Sequence, residues 1–433
     1  MLGLSLFPPT TQTDRKNHLI IGGCDAVALA SEFGTPLYIF DEATLRGKCA
    51  EYREEFGRRY PDSLVIYACK AFINRALAQI FKEEGVGLDV VSGGELSIAI
   101  SVGFPMEKVY FHGNNKSREE LELAIHCGVG RVVVDNFHEL SLLKKLAKEA
   151  GVNQGILLRL SPGVDPHTHA YVSTGDSDSK FGFPMTQAEE AIAQSMSCRN
   201  LELNGLHFHI GSQIFELESY RKAIAVLLQF AVEMKTKYEF KLNELNVGGG
   251  LAITYSEDSP APTIVELAQA ITSSILQEAK VLGVEPPRLI LEPGRSIVGQ
   301  AGVALYTAGA IKEIAGVRKY VSIDGGMADN IRPALYQAKY EAVVADKMDG
   351  DSERVTIAGK FCESADILIT DIDLPKLEPG DIIAVPCCGA YCLSMASNYN
   401  ASLMPAIVLV KDGKARLIRR RQSYEDLMSH DIV

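Results

Sequence analysis

Along this chain, short apolar runs alternate with stretches whose apolar residues recur every three or four positions. Eight of the runs read as buried strands: Leu64–Tyr67, Leu88–Val91, Val109–Phe111, Val132–Asp135, Ile156–Leu160, Leu203–His209, Leu242–Val247 and Leu289–Glu292. Helical spacing falls between them at Leu121–Cys127, Leu140-Leu143-Leu146-Ala147, Ala188–Met196, Tyr220–Met234 and Ile264–Val281, with Asn136 and Glu139 at capping-box spacing. A strand at His18–Ile21, a helix at Asp25–Phe33, a strand at Pro36–Phe40 and a helix capped by Asp41 precede the first run. After Pro293-Gly294 strands follow without regular helices, at Val303–Ile311, Tyr320–Ile323, Val355–Ile357, Ile382–Val385 and Ile407–Val410, and Asp412-Gly413 marks a hairpin. The pattern predicts an α/β protein: a (β/α)8 TIM-type barrel with a second, β-rich domain. No GxGxxG follows the first strand, which disfavours a dinucleotide fold. The expected boundaries are 1–36 for an N-terminal segment joined to the β-rich domain, 37–296 for the barrel and 297–433 for the C-terminal β-rich domain.

Bulk properties narrow the function. A formal net charge of −12 argues against a nucleic-acid or anionic-membrane partner. The nine cysteines contain no CxxC pair, which suits a reducing compartment. With no apolar run long enough to span a bilayer, the expectation is a cytoplasmic protein.

In such a barrel the chemistry gathers at the C-terminal strand ends. Those ends carry Lys70; Asp89 with Ser92; His112; Asp135; Arg159; His207 to Ser212; Gly248-Gly249-Gly250; and Glu292-Pro293-Gly294-Arg295. Taken alone, Lys70 is a strand-end lysine reaching for solvent, and the alternative is a neutral nucleophilic amine. Three glycines suit a tight turn, and they equally leave N–H groups able to surround an anion, with Gly294, Arg295 and Ser212 as further donors. His207 and His209 fall on one side of a strand, as a core pair, a metal pair echoed by His167 and His169, or a ring stacked on a planar cofactor. The plain reading of Glu292 is a salt bridge, with Arg159 as a partner. In the second domain, Arg332 and Tyr336 lie one helical turn apart and can grip one carboxylate. Cys362-Glu363-Ser364 and Gly389-Ala390-Tyr391 follow strands there. A phosphate cradle, a strand-end lysine, a stacking ring and a carboxylate together describe a pyridoxal 5'-phosphate site, with no metal.

At Tyr67-Ala68-Cys69-Lys70-Ala71, Asp89 to Glu95, Ser161 to Asp165, Ser179 to Gly182, His209 to Gln213, Glu292 to Arg295, Ile331 to Tyr336, Cys362 to Ser364 and Ser397 to Asn400, the chain resembles the fold-type III pyridoxal phosphate decarboxylases. The likeness runs over nearly its whole length. It implies that Lys70 forms the Schiff base, that His209 stacks on the ring and that Glu292 pairs with the pyridine nitrogen. Ser212, Gly248, Gly249, Gly250, Gly294 and Tyr391 would hold the phosphate, with Asp89, Arg159 and Arg295 also at the cofactor. Arg295, Arg332 and Tyr336, with Tyr391, would bind a distal carboxylate of the substrate and Glu363 its distal amine. Cys362 would donate a proton, reaching the site with Glu363 from the partner subunit of a homodimer. The implied reaction takes meso-2,6-diaminopimelate to L-lysine and CO2, the last step of lysine biosynthesis. The chain departs from the family pattern at Cys392, which stands for the usual glycine, and at Ala401 to Pro405, which replaces a more basic stretch. An ornithine, arginine or lysine decarboxylase is the alternative in the same family. A metal-dependent barrel hydrolase built on the His-x-His pairs is the alternative outside it, with a cofactor-binding protein lacking turnover a third class. The polar stretch 165–180 has the length of a lid.

Overall fold

A computed structural model describes residues 4–164 and 179–433. His167, His169 and nearly all of the expected lid lie outside the described residues. The chain divides into two compact units, one of Cys49–Ala252 and Ala261–Gly294, the other of Met1–Lys48, Ile253–Pro260 and Arg295–Val433.

The first unit is the barrel. Its strands are Ser63–Ala68, Gly87–Val90, Val109–Phe111, Arg131–Val134, Gln154–Ser161, Leu201–His207, Glu244–Asn246 and Arg288–Leu291. Each pairs in parallel with the next, and the last returns to the first, Leu289 opposite Ser63, which closes the ring. Closure removes the open edges of these eight strands, and a two-residue strand, Phe183–Pro184, adds beside Leu160 and Ser161. Ile66, Tyr110, Val133, Leu157 and Ile290, from five of these strands, form one buried apolar cluster. The apolar runs predicted these strands because strands buried on both faces lack polar alternation.

Two helices of the barrel escaped the periodicity, Arg75–Glu83 and Gly93–Ser101. Each is nine residues long, and each is started by a side-chain cap, Asn74 accepting from the N–H of Leu77 and Ser92 from that of Glu95. Asn136 does cap the helix Phe137–Ala150 by accepting from the N–H of Glu139 at 3.0 Å. The reciprocal half of the expected capping box is replaced. The Glu139 carboxylate instead takes the N–H of Asp135 and a buried ion pair with Lys116 at 2.7 Å.

The second unit is β-rich. Its main sheet runs Ile367–Pro375, Ser352–Ala358, Arg318–Ile323, Gly302–Ile314, Leu37–Asp41, Ala406–Lys411 and Lys414–Arg419, with Ile382–Val385 also paired to Gly302–Ile314. The hairpin expected at Asp412-Gly413 joins the last two strands. Leu37–Asp41, assigned from sequence to the barrel side of the boundary, belongs to this sheet, between Gly302–Ile314 and Ala406–Lys411. All five of its residues are buried, and a uniformly apolar strand carries no mark of which sheet it will join. Ile367–Pro375 went unpredicted because Asp371 and Asp373 break its apolar run.

One glycine fixes the register that aims the functional strand ends. The ladder between Gln154–Ser161 and Leu201–His207 shifts between Leu203 and Gly205, and a Cβ on Gly205 would lie 1.8 Å from the Glu244 carbonyl oxygen. A bulge at this point decides which way His207 faces. Gly205→Ala is expected to destabilise the fold by more than about 3 kcal/mol, the scale of overpacked cores. A thermal melt within a degree or two of the unaltered protein would contradict this.

Candidate active site

Lys70 sits just beyond the first barrel strand, in the 3-10 turn Cys69–Ala71. The turn is pinned from below. The buried Tyr67 hydroxyl donates to the Phe72 carbonyl at 2.6 Å and accepts from the Phe72 N–H at 3.2 Å. Lys70 itself is exposed, so desolvation of its ammonium does not distinguish it. Its neighbours do. Its charge acts on Asp89, Glu95 and His209. Burial pushes the Asp89 carboxyl up to about 6 and the Glu95 carboxyl up to about 7, with Lys70 pulling both back down. The Glu95 carboxylate accepts from the Val91 N–H at 2.8 Å.

Glu292 is the centre of the barrel site. It is 6 % exposed and is met by three donor-bearing side chains. Asn246 Nδ2 donates to Oε1 at 2.6 Å, His112 Nε2 lies 2.8 Å from Oε1, and His207 Nε2 lies 3.2 Å from Oε2. Burial opposes the charge, but the two histidines, His112 foremost, hold this carboxyl well below its ordinary value. Glu292 is therefore ionised. Desolvation drops His207 to about 3 against the pull of Glu292, so its ring is neutral. Its Nδ1 is buried with no hydrogen-bond partner, which assigns the proton to Nε2, facing the carboxylate. The salt bridge suggested between Glu292 and Arg159 is not made. Arg159 has Asp135 as its nearest carboxylate, at 3.9 Å, and lies over the Phe181 ring.

Asn246 also reaches the glycine run, because its Oδ1 accepts from the Gly248 N–H at 3.0 Å. The Gly249 N–H donates to His209 Nδ1 at 3.3 Å, and Tyr220 donates its hydroxyl to the Gly249 carbonyl at 2.7 Å. Two of the three amides that the sequence offered to an anion are thus engaged within the protein. The glycines are needed for close approach as well. A Cβ on Gly249 would lie 2.0 Å from the Glu292 carbonyl oxygen, and one on Gly250 2.3 Å from that of Gly211. Ser212 belongs to the loop that the Ile214–Leu251 bridge ties beside this run. Gly294 lies against the lysine turn, where a Cβ would come within 3.1 Å of Ala68 and 3.2 Å of Ala71.

In the β-rich unit, Arg295 and Arg332 are buried, at 7 % and 5 % exposure. Both donate to the Tyr255 hydroxyl, at 2.7 and 2.8 Å. The Arg295 guanidinium also lies 4.7 Å from the centre of the Tyr391 ring. Arg332 is joined by the Tyr340 hydroxyl, not by that of Tyr336. The helix Arg332–Tyr336 ends after five residues and Gln337, at φ 54°, turns the chain so that Tyr340 returns to the arginine. The Cys392 sulfur lies 3.5 Å from the Tyr340 hydroxyl. Burial would raise this thiol, but Cys388, Arg332 and Tyr340 hold it below its ordinary value. Cys362 and Glu363 are exposed.

Comparison with known proteins matches these features. The family described as pyridoxal-dependent decarboxylase, pyridoxal binding domain, covers residues 42–299. A diaminopimelate decarboxylase of Bacillus subtilis is 47% identical over 98% of this chain and 97% of its own. The chain belongs to the diaminopimelate decarboxylase family. The crystal structure of a diaminopimelate decarboxylase from M. jannaschii, in complex with L-lysine, superposes with a TM-score of 0.93 at 39% identity, covering 98% of each chain. A lysine/ornithine decarboxylase from Vibrio vulnificus, at 23% identity and a TM-score of 0.77 over 89% of this chain and 97% of its own, shares the fold.

The barrel residues fit pyridoxal phosphate, the cofactor of this family. A buried carboxylate kept ionised by three partners suits a protonated pyridine nitrogen, and the pinned Lys70 supplies a primary amine beside it. The metal reading needed His207 with His209. The described residues bring together His112, His207 and Glu292 instead, with the carboxylate at hydrogen-bond distance from both rings. Four contributors escaped the sequence reading. Asn246 and Glu95 sat inside or beside apolar runs, where the one available signal was a polar residue in a buried segment. Tyr255 and Tyr340 carried no motif.

Two measurements check the Glu292 cluster. Asn246→Ala removes a donor from a buried carboxylate and an acceptor from Gly248, so stability should fall by about 2–4 kcal/mol and cofactor affinity should weaken. Unchanged denaturant midpoint and affinity would contradict the assignment. For His207 the folded pKa lies below the unfolded one, so unfolding takes up a proton below pH 6.5. Its stabilisation is present above that pH and is lost as pH falls towards 3. Compared with His207→Gln, the unaltered protein should lose about 2 kcal/mol more stability between pH 7 and pH 5; parallel pH profiles would contradict a neutral His207.

Proposed function

We propose that this chain removes one carboxylate from meso-2,6-diaminopimelate, releasing CO2 and L-lysine as the last step of lysine biosynthesis. The observation that carries the reading is full-length likeness to diaminopimelate decarboxylases, at 47% identity for the B. subtilis protein. Because the substrate has one D and one L centre and the product is L-lysine, the carboxylate lost is the one at the D centre. The carboxylate at the distal L centre stays on the product.

Bound pyridoxal phosphate supplies an electron sink for the pair left when CO2 departs. The chain's own residues do the rest. Lys70 supplies the amine that holds the cofactor, and Glu292 keeps negative charge against the ring nitrogen, where positive charge has to persist. His209 stacks on the ring, while Ser212, Gly250, Gly294 and Tyr391 hold the phosphate, with Gly248 and Gly249 shaping the loop. Asp89 and Arg159 border the ring, and Arg295 lies with the cofactor and the substrate. Arg295, Arg332 and Tyr336, with Tyr391, bind the distal carboxylate, and Glu363 takes the distal amine. Cys362 delivers the proton that replaces CO2 from its exposed thiol. Cys362 and Glu363 reach the site from the partner subunit of a homodimer in the cytoplasm. No helix among the described residues is long and apolar enough to cross a membrane.

Decarboxylation of ornithine, arginine or lysine is the rival. Arg332 favours the diacid, since among the described residues this buried guanidinium meets hydroxyls and no carboxylate. A buried cation left without an anion costs several kcal/mol, and a second substrate carboxylate removes that cost. Lys70→Ala should abolish the visible cofactor absorbance and lower CO2 release from meso-diaminopimelate by at least about a thousandfold, as expected when a covalent group is deleted. Retention of both would refute the reading, as would faster CO2 release from ornithine than from meso-diaminopimelate by the unaltered enzyme.

A further inference from the structure

Arg295 and Arg332 come from separate stretches of the β-rich unit, one at the start of Arg295–Val298 and the other at the start of Arg332–Tyr336. Two like charges in a buried setting repel, so bringing them to a common point needs an acceptor that both can use. Tyr255 is that acceptor. It lies in the short segment Ile253–Pro260 that the barrel-forming chain contributes to this unit, and its one hydroxyl accepts an N–H from each guanidinium, at 2.7 and 2.8 Å. Both guanidiniums also face its ring, at 5.8 and 4.9 Å from the centre, where the negative face of the π-system offsets their charge. With both lone pairs of the phenol oxygen taken by these N–H groups, its own proton has to point away from them, as a donor.

The same Arg332 nitrogen has a second phenol acceptor. Tyr340 accepts from the same guanidinium and stacks edge-on against Tyr255, with ring centres 5.4 Å apart. Behind Tyr340 stands the Cys392 sulfur. Arg332 Nη1 thus meets two phenols, and the Tyr255 hydroxyl takes an N–H from Arg295 as well.

We propose that Tyr255 is a positioning residue for the known reaction: its hydroxyl sets the Arg295 and Arg332 guanidiniums as a pair that recognises the distal carboxylate of the substrate. This rests on the assignment of those arginines to that carboxylate. A shared acceptor makes the two cations one preorganised fork, which is worth more to an anion than two independently mobile arginines. Because the distal carboxylate takes no part in bond breaking, the interaction is felt alike in ground state and transition state. Its loss therefore appears in KM more than in kcat.

The experiment compares two ligands that differ by that carboxylate alone. L-lysine carries it, and cadaverine has the same chain and both amines without it. Inhibition constants for both are measured on the unaltered holoenzyme and on Tyr255→Phe, with meso-diaminopimelate as substrate and the cofactor absorbance as a check on the site. Removing an acceptor from two charged donors should weaken L-lysine and raise the KM of meso-diaminopimelate by about 10- to 100-fold. Cadaverine inhibition, kcat and the absorbance band should stay within about threefold. Equal weakening of both ligands, or no weakening of either, overturns the role of Tyr255. An unaltered enzyme that itself fails to prefer L-lysine over cadaverine overturns the assignment of the arginines instead. Tyr340→Phe deletes a hydroxyl that accepts from Arg332 and lies against Cys392, and an effect on L-lysine as large as that of Tyr255→Phe would also overturn the shared-acceptor reading.

Discussion

A negative charge kept out of water orders the ends of the last three barrel strands. Glu292 is buried and ionised, a state that costs several kcal/mol unless its oxygens are met by donors. His207, Asn246 and Glu292 stand at the ends of three adjacent strands, and His112 is brought in from across the ring. Asn246 then passes the constraint to the glycine run, and the Gly249 amide passes it to His209. His207, Asn246, Glu292, the glycine run and His209 are thus parts of one array. Loss of the Asn246 side chain would take a partner from both the Glu292 carboxylate and the Gly248 amide.

The β-rich unit shows the same economy with the opposite sign. Two buried guanidiniums are held by neutral phenols and an aromatic face. Hydroxyls satisfy N–H geometry without cancelling charge, so the field remains available to an anion. The barrel unit offers a fixed anion suited to a ring N–H, and the β-rich unit a fixed pair of cations suited to a carboxylate. Natural proteins commonly give up stability at such places.

Cys392 adds a thiol to this cluster. It lies against the Tyr340 hydroxyl, and Cys388 and Arg332 hold it below its ordinary value. Its polarisable sulfur stands behind the Tyr340 hydroxyl that accepts from Arg332.

Much was legible in the residues themselves. Eight apolar runs at strand length, each followed by helical spacing or a glycine-bounded turn, determine a closed barrel, because strands with no polar face must be covered on both sides. Lys70, Glu292 and the glycine run were readable because chemistry at strand ends follows from the barrel itself. The partners of these groups were not. Glu292 paired with His112, His207 and Asn246 in place of Arg159, and Arg332 found Tyr255 and Tyr340, which no motif had marked. Leu37–Asp41 likewise joined the β-rich sheet. Periodicity reports which face of an element is dry, and a motif reports which atoms can react. Which distant side chain completes a buried charge depends on strand register, on a bulge at Gly205 and on a five-residue helix that ends in a left-handed turn. Those are decided only when the chain closes on itself.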